Sequence, residues 1–338
     1  MSKIRVAING YGRIGRNVLK AHFECYKHPN IEIVAVNDPS VPLAADMLTR
    51  YDSVHGKFNK KVYWSRDSVL NVDGHDIQFF SNRDPLLLPW RDWDIDVVFE
   101  CTGSFTSYEL ASKHLQSGAK RVVVSAPAGK DVDATVVFGV NHHVIRSDHR
   151  IISCASCTTN CLAAMVLPIN QQFVIKSGLM TTIHSYTNDQ LLNDGSHRDF
   201  RRARAAAMSM IPTKTGAAVA VGLVIPELNG KLDGCSVRVP TPNVSLVDLT
   251  FVSEKSLTET MIFDCIKQAA DGPMSSVLSY SDEPLVSVDF VHNTASCIFD
   301  SGLTKIVSGN CAKVFGWYDN EWGFCNRMLD TTDYWLSL

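Results

Sequence analysis

Ile4-Arg-Val-Ala-Ile-Asn9 runs straight into Gly10-Tyr-Gly-Arg-Ile-Gly15, and that junction decides the fold. The first six residues read as a buried strand, and residues 14–23 carry helical spacing. Between them stands a G-x-G-x-x-G turn. Gly10 permits the tight turn, Gly12 lets a pyrophosphate approach the backbone, and Gly15 lets the helix pack close to the strand. Alone, the motif is weak and fits a glycine turn in any βαβ unit. Here a second strand follows, Ile31-Glu-Ile-Val-Ala-Val-Asn37, and ends at Asp38. An acid about 20 residues beyond the glycines can accept hydrogen bonds from ribose hydroxyls. Strands over 97–100 and 121–125, with a helix over 107–116 between them, extend the same pattern. Ligands bind at the carboxyl ends of such strands, which makes Thr102, Ser125 and Ala126 candidate cofactor neighbours. The N-terminal half therefore reads as a Rossmann-type doubly wound domain for a nicotinamide dinucleotide.

The next informative stretch is Ser153-Cys-Ala-Ser-Cys-Thr-Thr-Asn-Cys161, with Thr181-Thr-Ile-His184 after it. Residues 151–153 read as a strand and 157–173 as a helix with Ser156 at its N-cap. The helix rises roughly 25 Å, and a strand over 178–184 returns roughly 20 Å. His184 can therefore come back to the level of Cys157. A helix N-terminus and an imidazolium both lower a thiol pKa, and the free N–H groups of that terminus can stabilise an oxyanion. Cys157 is thus a candidate nucleophile and His184 its base. The competing reading is a buried structural Cys beside a satisfied core His. Cys161, one turn on, reads as core. Spacing among Cys154, Cys157 and Cys161 invites a metal, but no second close cysteine pair completes a four-ligand set.

Beyond His184 the pattern suggests an α+β domain with a mostly antiparallel sheet. Candidate strands are 236–239, 244–251, 286–290 and 311–318, with a helix over 257–270 and a tail helix from Phe324. An irregular segment over 187–204 carries His197, Arg198, Arg201, Arg202 and Arg204, which reads as a solvated face, an anion site or a subunit interface. Thr215, Gly216 and Arg238 offer a hydroxyl, a backbone N–H and a guanidinium suited to a phosphate dianion.

The bulk numbers exclude several classes. At 338 residues the chain has room for two domains. A net charge of −3 argues against nucleic acid as the main partner. No apolar run reaches membrane-spanning length. Met1-Ser-Lys-Ile-Arg-Val6 enters a strand at once and carries no secretory signal, so ten cysteines read as reduced thiols in a cytoplasm.

Together these residues resemble phosphorylating glyceraldehyde-3-phosphate dehydrogenase. The likeness rests on Asn9-Gly-Tyr-Gly-Arg-Ile-Gly-Arg16, Tyr51-Asp-Ser-Val-His-Gly56, Ala155-Ser-Cys-Thr-Thr-Asn160 and His184-Ser-Tyr-Thr-Asn-Asp-Gln190. It continues through Arg201-Arg-Ala-Arg-Ala205, Thr215-Gly-Ala-Ala218, Arg238-Val-Pro-Thr-Pro-Asn243 and Trp317-Tyr-Asp-Asn-Glu-Trp-Gly323. It implies an NAD-binding domain over 1–155, a catalytic domain over 156–319 and a helix over 320–338 that packs back on the first domain. It implies a homotetramer acting on a triose phosphate and inorganic phosphate. By the same likeness Thr187 and Arg238, with Asp189 nearby, bind the substrate phosphate. Ser156, Thr158, Thr215 and Gly216, with Arg202 close by, bind the attacking phosphate. Asn9, Gly10, Gly12, Arg13, Ile14, Gly15, Asp38, Arg83, Ser125 and Asn320 map to the cofactor, with Asn320 at the nicotinamide carboxamide.

Three positions depart from the family pattern: Cys154 stands where Asn is common, Phe324 where many members have Tyr, and Ser196 where NAD-specific members often have Pro. Ser196 resembles the form that accepts a 2′-phosphate, whereas the Asp38 charge repels one. NAD preference with weak NADP use is the expectation. The rival readings are erythrose-4-phosphate dehydrogenase, a cysteine hydrolase or acyltransferase without a nicotinamide, and a binding protein that reuses the fold.

Overall fold

The computed structural model describes residues 3–39 and 42–338, so Met1 and Ser2 of the N-terminal segment lie outside the described residues. Chain contacts separate two compact units, one of residues 1–138, 142–155 and 325–338, the other of residues 139–141 and 156–324.

In the first unit β1 (Ile4–Asn9), α1 (Arg13–Cys25), β2 (Ile31–Asn37) and α2 (Pro42–Arg50) come first. A small hairpin, β3 (Tyr51–Asp52) and β4 (Gly56–Lys57), precedes the antiparallel set β5 (Val62–Arg66), β6 (Val69–Val72) and β7 (His75–Phe80). Then come β8 (Val97–Glu100), α3 (Tyr108–Gln116), β9 (Arg121–Val124), β10 (Ala134–Thr135) and β11 (Ile151–Ser153). The sheet order is β10-β11-β9-β8-β1-β2-β7-β6-β5. It is parallel from β10 to β7, and the chain reverses its direction of winding at β1, which pairs with both β2 and β8. That switch point is where the carboxyl edge opens a crevice. Val6, Ala7, Ile8, Val97, Val98 and Phe99 are fully buried, which explains the unbroken apolar runs of strands covered on both faces.

The second unit starts with α4 (Cys157–Phe173) and β12 (Ile175–Ser185), then β13 (Ile211–Lys214), α5 (Ala217–Val224), β14 (Leu232–Val239) and β15 (Ser245–Ser253). It continues with α6 (Glu259–Ala270), β16 (Leu278–Ser281), β17 (Cys297–Val307) and β18 (Cys311–Tyr318). The last helix, α7 (Trp322–Leu336), belongs to the first unit from Cys325 onward. The second sheet runs β13-β14-β12-β15-β18-β17-β16, with parallel pairs only at β12/β14 and β16/β17. Helices α4, α5 and α6 pack together, and α4 lies on the sheet.

One predicted strand is wrong. Residues 286–290 contain no strand, and Ser287–Phe290 is a 3-10 turn. Val286, Val288 and Phe290 alternate like a strand, yet Val286 and Val288 are 58% and 69% exposed and only Phe290 is buried. The Asp289 carboxylate accepts from the Val286 N–H at 2.8 Å and closes the turn. The ladder position beside β18 goes to β17, whose polar second half hid it from a hydrophobic pattern.

Candidate active site

Cys157 is the first residue of α4, and Ser156 caps that helix by accepting from the Thr159 N–H at 3.0 Å. The polypeptide turns there because Ala155 sits at φ +58° and the Ser153 hydroxyl accepts from its N–H. Strand β12 returns along the sheet and ends at Ser185, which brings His184 Nε2 to 3.6 Å from Cys157 Sγ. His184 Nδ1 lies 2.7 Å from the Ser185 carbonyl and 3.0 Å from Arg238 Nη1. The shorter contact makes Nδ1–H the donor and leaves the Nε2 lone pair facing the sulfur.

The charge state differs from the sequence reading, which paired a thiolate with an imidazole. Burial, followed by the Arg238 guanidinium, lowers the His184 pKa to about 3, so the ring is neutral. Burial raises the Cys157 thiol, while Arg238 and the N–H groups at the helix start pull it down. The pair is therefore a thiol against a free imidazole, the state a general base starts from.

Sequence reasoning missed Tyr318, because an aromatic residue at the end of a strand reads as core. Its hydroxyl lies 2.8 Å from Thr158 Oγ1 and 2.9 Å from Thr182 Oγ1, and its ring meets His184 edge to face. Ser245 pairs with Tyr318 across β15 and β18, so the same sheet row fixes both residues. Thr158, expected to bind phosphate, turns its hydroxyl to Tyr318 and keeps only its N–H for an anion.

The other expected anion ligands fall into separate groups. Arg238 Nη1 is 3.4 Å from Thr187 Oγ1, and its Nε is buried without a hydrogen-bond partner. Gln190 Nε2 is also buried and unpartnered. Both residues also contact Thr187, through Arg238 Nη1 and Gln190 Oε1, so two buried donors without an acceptor belong to side chains that meet at one residue. Arg202 is drawn elsewhere, to the Asp189 carboxylate and to Thr213 Oγ1 at 3.0 Å. Asp189 also meets His197, so this acid ties the 187–204 loop together. Thr215 accepts from the Ala217 N–H at 3.2 Å and Gly216 is the N-cap of α5, with nothing within 4 Å of where a Cβ would stand. Thus Ser156 and Thr215 sit at the starts of two helices that pack together. Asn320 Oδ1 accepts from Ser185 Oγ and Ser245 Oγ, each at 2.8 Å, which turns its NH2 outward as a donor.

The first unit carries a cradle that fits a dinucleotide. Gly10 has φ +91°, and a Cβ there would meet Thr102 N at 2.7 Å. A Cβ on Gly15 would stand 2.1 Å from the Gly10 carbonyl. Nothing lies within 4 Å of the Gly12 Cβ position, so this face is open above the α1 N-terminus. The Asp38 carboxylate accepts from the Tyr11 N–H at 2.7 Å, at the end of β2. Arg13 points its guanidinium at Asp52, 2.8 Å away, and so offers backbone rather than charge. Ile14 is half-buried with its carbonyl taken by the Cys325 thiol at 3.5 Å. Arg83 is exposed, and the Ser125 N–H donates to the Glu100 carbonyl at 3.0 Å. Asn9, expected to face the cofactor, is buried in a polar chain with Glu100 and Asn37.

Two family models match this chain. Residues 4–108 match the glyceraldehyde 3-phosphate dehydrogenase NAD binding domain, and residues 156–320 match the C-terminal domain of the same family. The chain is 58% identical over 328 residues to the chromosomal glyceraldehyde-3-phosphate dehydrogenase of Cupriavidus necator, with 97% of each chain covered. It is 54% identical, with the same coverage, to the Pseudomonas aeruginosa protein of that name. With glyceraldehyde-3-phosphate dehydrogenase 1 of Bacillus cereus it shares 49% over 334 residues, 98% of each chain.

Proposed function

The chain belongs to the glyceraldehyde-3-phosphate dehydrogenase family and is an NAD-dependent oxidoreductase of that kind; from that premise we propose that Cys157 is its nucleophile and His184 its base. The observation that carries the assignment is the 3.6 Å approach of Cys157 Sγ to the neutral His184 ring at a helix N-terminus. Sγ gives its proton to His184 Nε2 as it attacks the aldehyde carbon, and that proton passes on to the carbonyl oxygen, so that a hemithioacetal forms. The N–H groups at the start of α4 stabilise its oxyanion. His184 Nε2 takes the hydroxyl proton as the carbon gives up hydride. NAD, when bound, supplies the acceptor for that hydride. The thioester left on Cys157 retains the free energy of oxidation until a phosphate oxygen attacks the carbonyl, the C–S bond breaks and an acyl phosphate leaves.

Thr187 and Arg238, with the unpartnered Gln190 amide, support binding of the substrate's phosphate. The helix starts at Ser156 and Thr215–Gly216 support binding of the attacking phosphate. Gly10, Gly12, Gly15 and Asp38 support the cofactor, and the Asn320 NH2 suits a carboxamide oxygen. Leu192, Phe200, Met208 and Met210 are 75–88% exposed, which favours burial against other copies of the chain and thus a homotetramer. Ten free cysteines favour a reducing cytoplasm, and no described helix is long and apolar enough to cross a membrane.

The test is steady-state kinetics with triose and tetrose phosphates, with and without inorganic phosphate, on the wild-type chain and Cys157→Ser. The variant should bind NAD normally and lose at least about 10³-fold in aldehyde oxidation. Retained oxidation in Cys157→Ser would refute the nucleophile. Turnover indifferent to phosphate, with tetrose preferred, would favour the erythrose-4-phosphate enzyme.

A further inference from the structure

A continuous chain of hydrogen bonds runs through the protein directly beneath the glycine turn, and apolar periodicity gives no hint of it. Glu100 ends β8, opposite Asn9 at the end of β1, which in turn pairs with Asn37 at the end of β2. Asn9 Nδ2 donates to Glu100 Oε2 at 2.6 Å, and Asn9 Oδ1 accepts from Asn37 Nδ2 at 2.7 Å. Asn37 Oδ1 accepts from the Asn82 N–H at 2.9 Å. On the other side His114 Nε2 stands 3.0 Å from Glu100 Oε2, and Trp90 Nε1 donates to His114 Nδ1 at 3.0 Å. Thr102 gives Glu100 Oε1 both its N–H, at 2.8 Å, and its hydroxyl. Glu100, His114 and Trp90 are all essentially inaccessible to water.

The donor count fixes the chemistry. An indole N–H can only donate, so His114 Nδ1 must be an acceptor and Nε2 must carry the proton. Glu100 Oε2 then receives two donors, from His114 and Asn9, and Oε1 receives two from Thr102. All the carboxylate's accepting positions are filled. A carboxylate held this way is a rigid clamp. What it clamps is specific: Asn9 precedes Gly10, and the Thr102 N–H is the atom nearest the Gly10 Cβ position, at 2.7 Å.

We propose that Glu100, locked in place by His114 and Trp90, is a positioning residue for the cofactor, acting through Asn9 and Thr102 to hold the two strand ends that flank Gly10 in their dinucleotide-binding geometry. This rests on NAD being held at the glycine turn. Glu100→Gln is nearly isosteric, but one end of its amide is an NH2: on the Oε2 side it meets two obligate donors, the Asn9 amide and His114 Nε2–H, and on the Oε1 side it meets the Thr102 N–H. Either way one strand end, Asn9 or Thr102, loses its hold while the apolar packing stays. Trp90→Phe then has a distinctive consequence. With the indole gone, His114 can move its proton to Nδ1, and Nε2 becomes an acceptor for the introduced amide and for Asn9 Nδ2, which lies 3.3 Å away. The double variant should recover what the single one lost.

The experiment measures NAD dissociation constants by calorimetry on the full chain, with thermal midpoints and the NAD-free alkylation rate of Cys157 as controls. Glu100→Gln should weaken NAD binding about tenfold or more and leave the alkylation rate of Cys157 unchanged. Adding Trp90→Phe should restore part of the affinity, whereas Trp90→Phe alone should give no gain. If Glu100→Gln does not fold, His114→Leu removes the Nε2–H that holds Glu100 Oε2 and should weaken NAD binding severalfold. A general structural role would lower the thermal midpoint of every variant, the double one most, with no recovery of affinity. Wild-type affinity in a folded Glu100→Gln or His114→Leu, or a double variant no better than the single, would overturn the proposal. Failure of the wild-type chain itself to bind NAD would instead overturn the cofactor reading.

Discussion

The depressed basicity of His184 should be visible as stability. An exposed histidine titrates near 6.5, and burial together with Arg238 brings this one to about 3. The native state therefore refuses a proton that the unfolded chain accepts. The sign follows: stability is intact above pH 6.5 and is lost as the pH falls from there toward 3. Linkage gives the size. Between pH 7 and pH 5 this single ring removes about 2 kcal/mol, and by pH 4 about 3 kcal/mol. His184→Asn removes the titrating group from the same buried position beside the Ser185 carbonyl. It will cost stability at every pH through lost packing, but its decline from pH 7 to pH 5 should be about 2 kcal/mol smaller than that of the wild-type chain. Urea unfolding at the two pH values, wild type against variant, measures the difference, and other titrating groups cancel because both proteins carry them. Equal declines would mean that His184 takes up its proton in the native state as readily as in the unfolded chain, and its depressed basicity would fall with that.

Two further outcomes follow from buried charge. Arg238→Leu should lower kcat/KM about 10–100-fold, carried mostly by KM for the phosphorylated aldehyde. It should also shrink the pH-dependent loss above, because the guanidinium is one cause of the His184 shift; an unchanged KM would remove Arg238 from the substrate site. Asp52→Asn should destabilise the first unit by about 3–5 kcal/mol, read as a fall in thermal midpoint. Asp52 receives Arg13, Lys20 and the N–H groups of Val54 and His55, which together outweigh burial and hold its pKa well below the usual carboxylate range. Burial already pushes the Lys20 ammonium down with Asp52 in place, and without Asp52 nothing opposes it. A midpoint within 2 °C or so of wild type would contradict this.

Local signals made the architecture legible. The glycine turn, the capped helix at Ser156 and the apolar strands around them are each determined by residues near in sequence. The ends of β1, β2, β8, β11, β18 and α4 fall where the pattern puts them. The Cys157–His184 approach was also readable, because one helix and one strand of comparable length fix it. What stayed hidden depends on pairing across the sheet. Residues 286–290 imitate a strand because alternation cannot tell a ladder from a turn with one anchored side chain. Strand β17 is half polar and is held by its neighbour. Glu100, His114 and Tyr318 are buried polar groups whose partners, Thr102 apart, lie 14 to 160 residues away. No periodicity marks a residue whose reason for burial is a distant hydrogen bond. The lowered basicity of His184 was likewise hidden, since it comes from burial and from Arg238, which reaches the ring only through the pairing of β12 with β14.

That pairing has an electrical consequence for the whole site. Moving a proton from Cys157 to His184 creates a negative sulfur and a positive ring. The Arg238 field stabilises the first and opposes the second, and it stands 3.0 Å from the ring nitrogen that would share the new charge. So the guanidinium adds to burial in holding the ring neutral while it makes the thiol easier to ionise. The same group presents a buried Nε with no acceptor beside Thr187. An anion bound there cancels part of the field at both residues. On the proposed roles, the thiol then loses some of its help and the ring gains basicity at the step where it takes the hemithioacetal proton. Occupation of the proposed anion site and the strength of the proposed base are therefore one electrostatic quantity, set by where β14 places a single arginine.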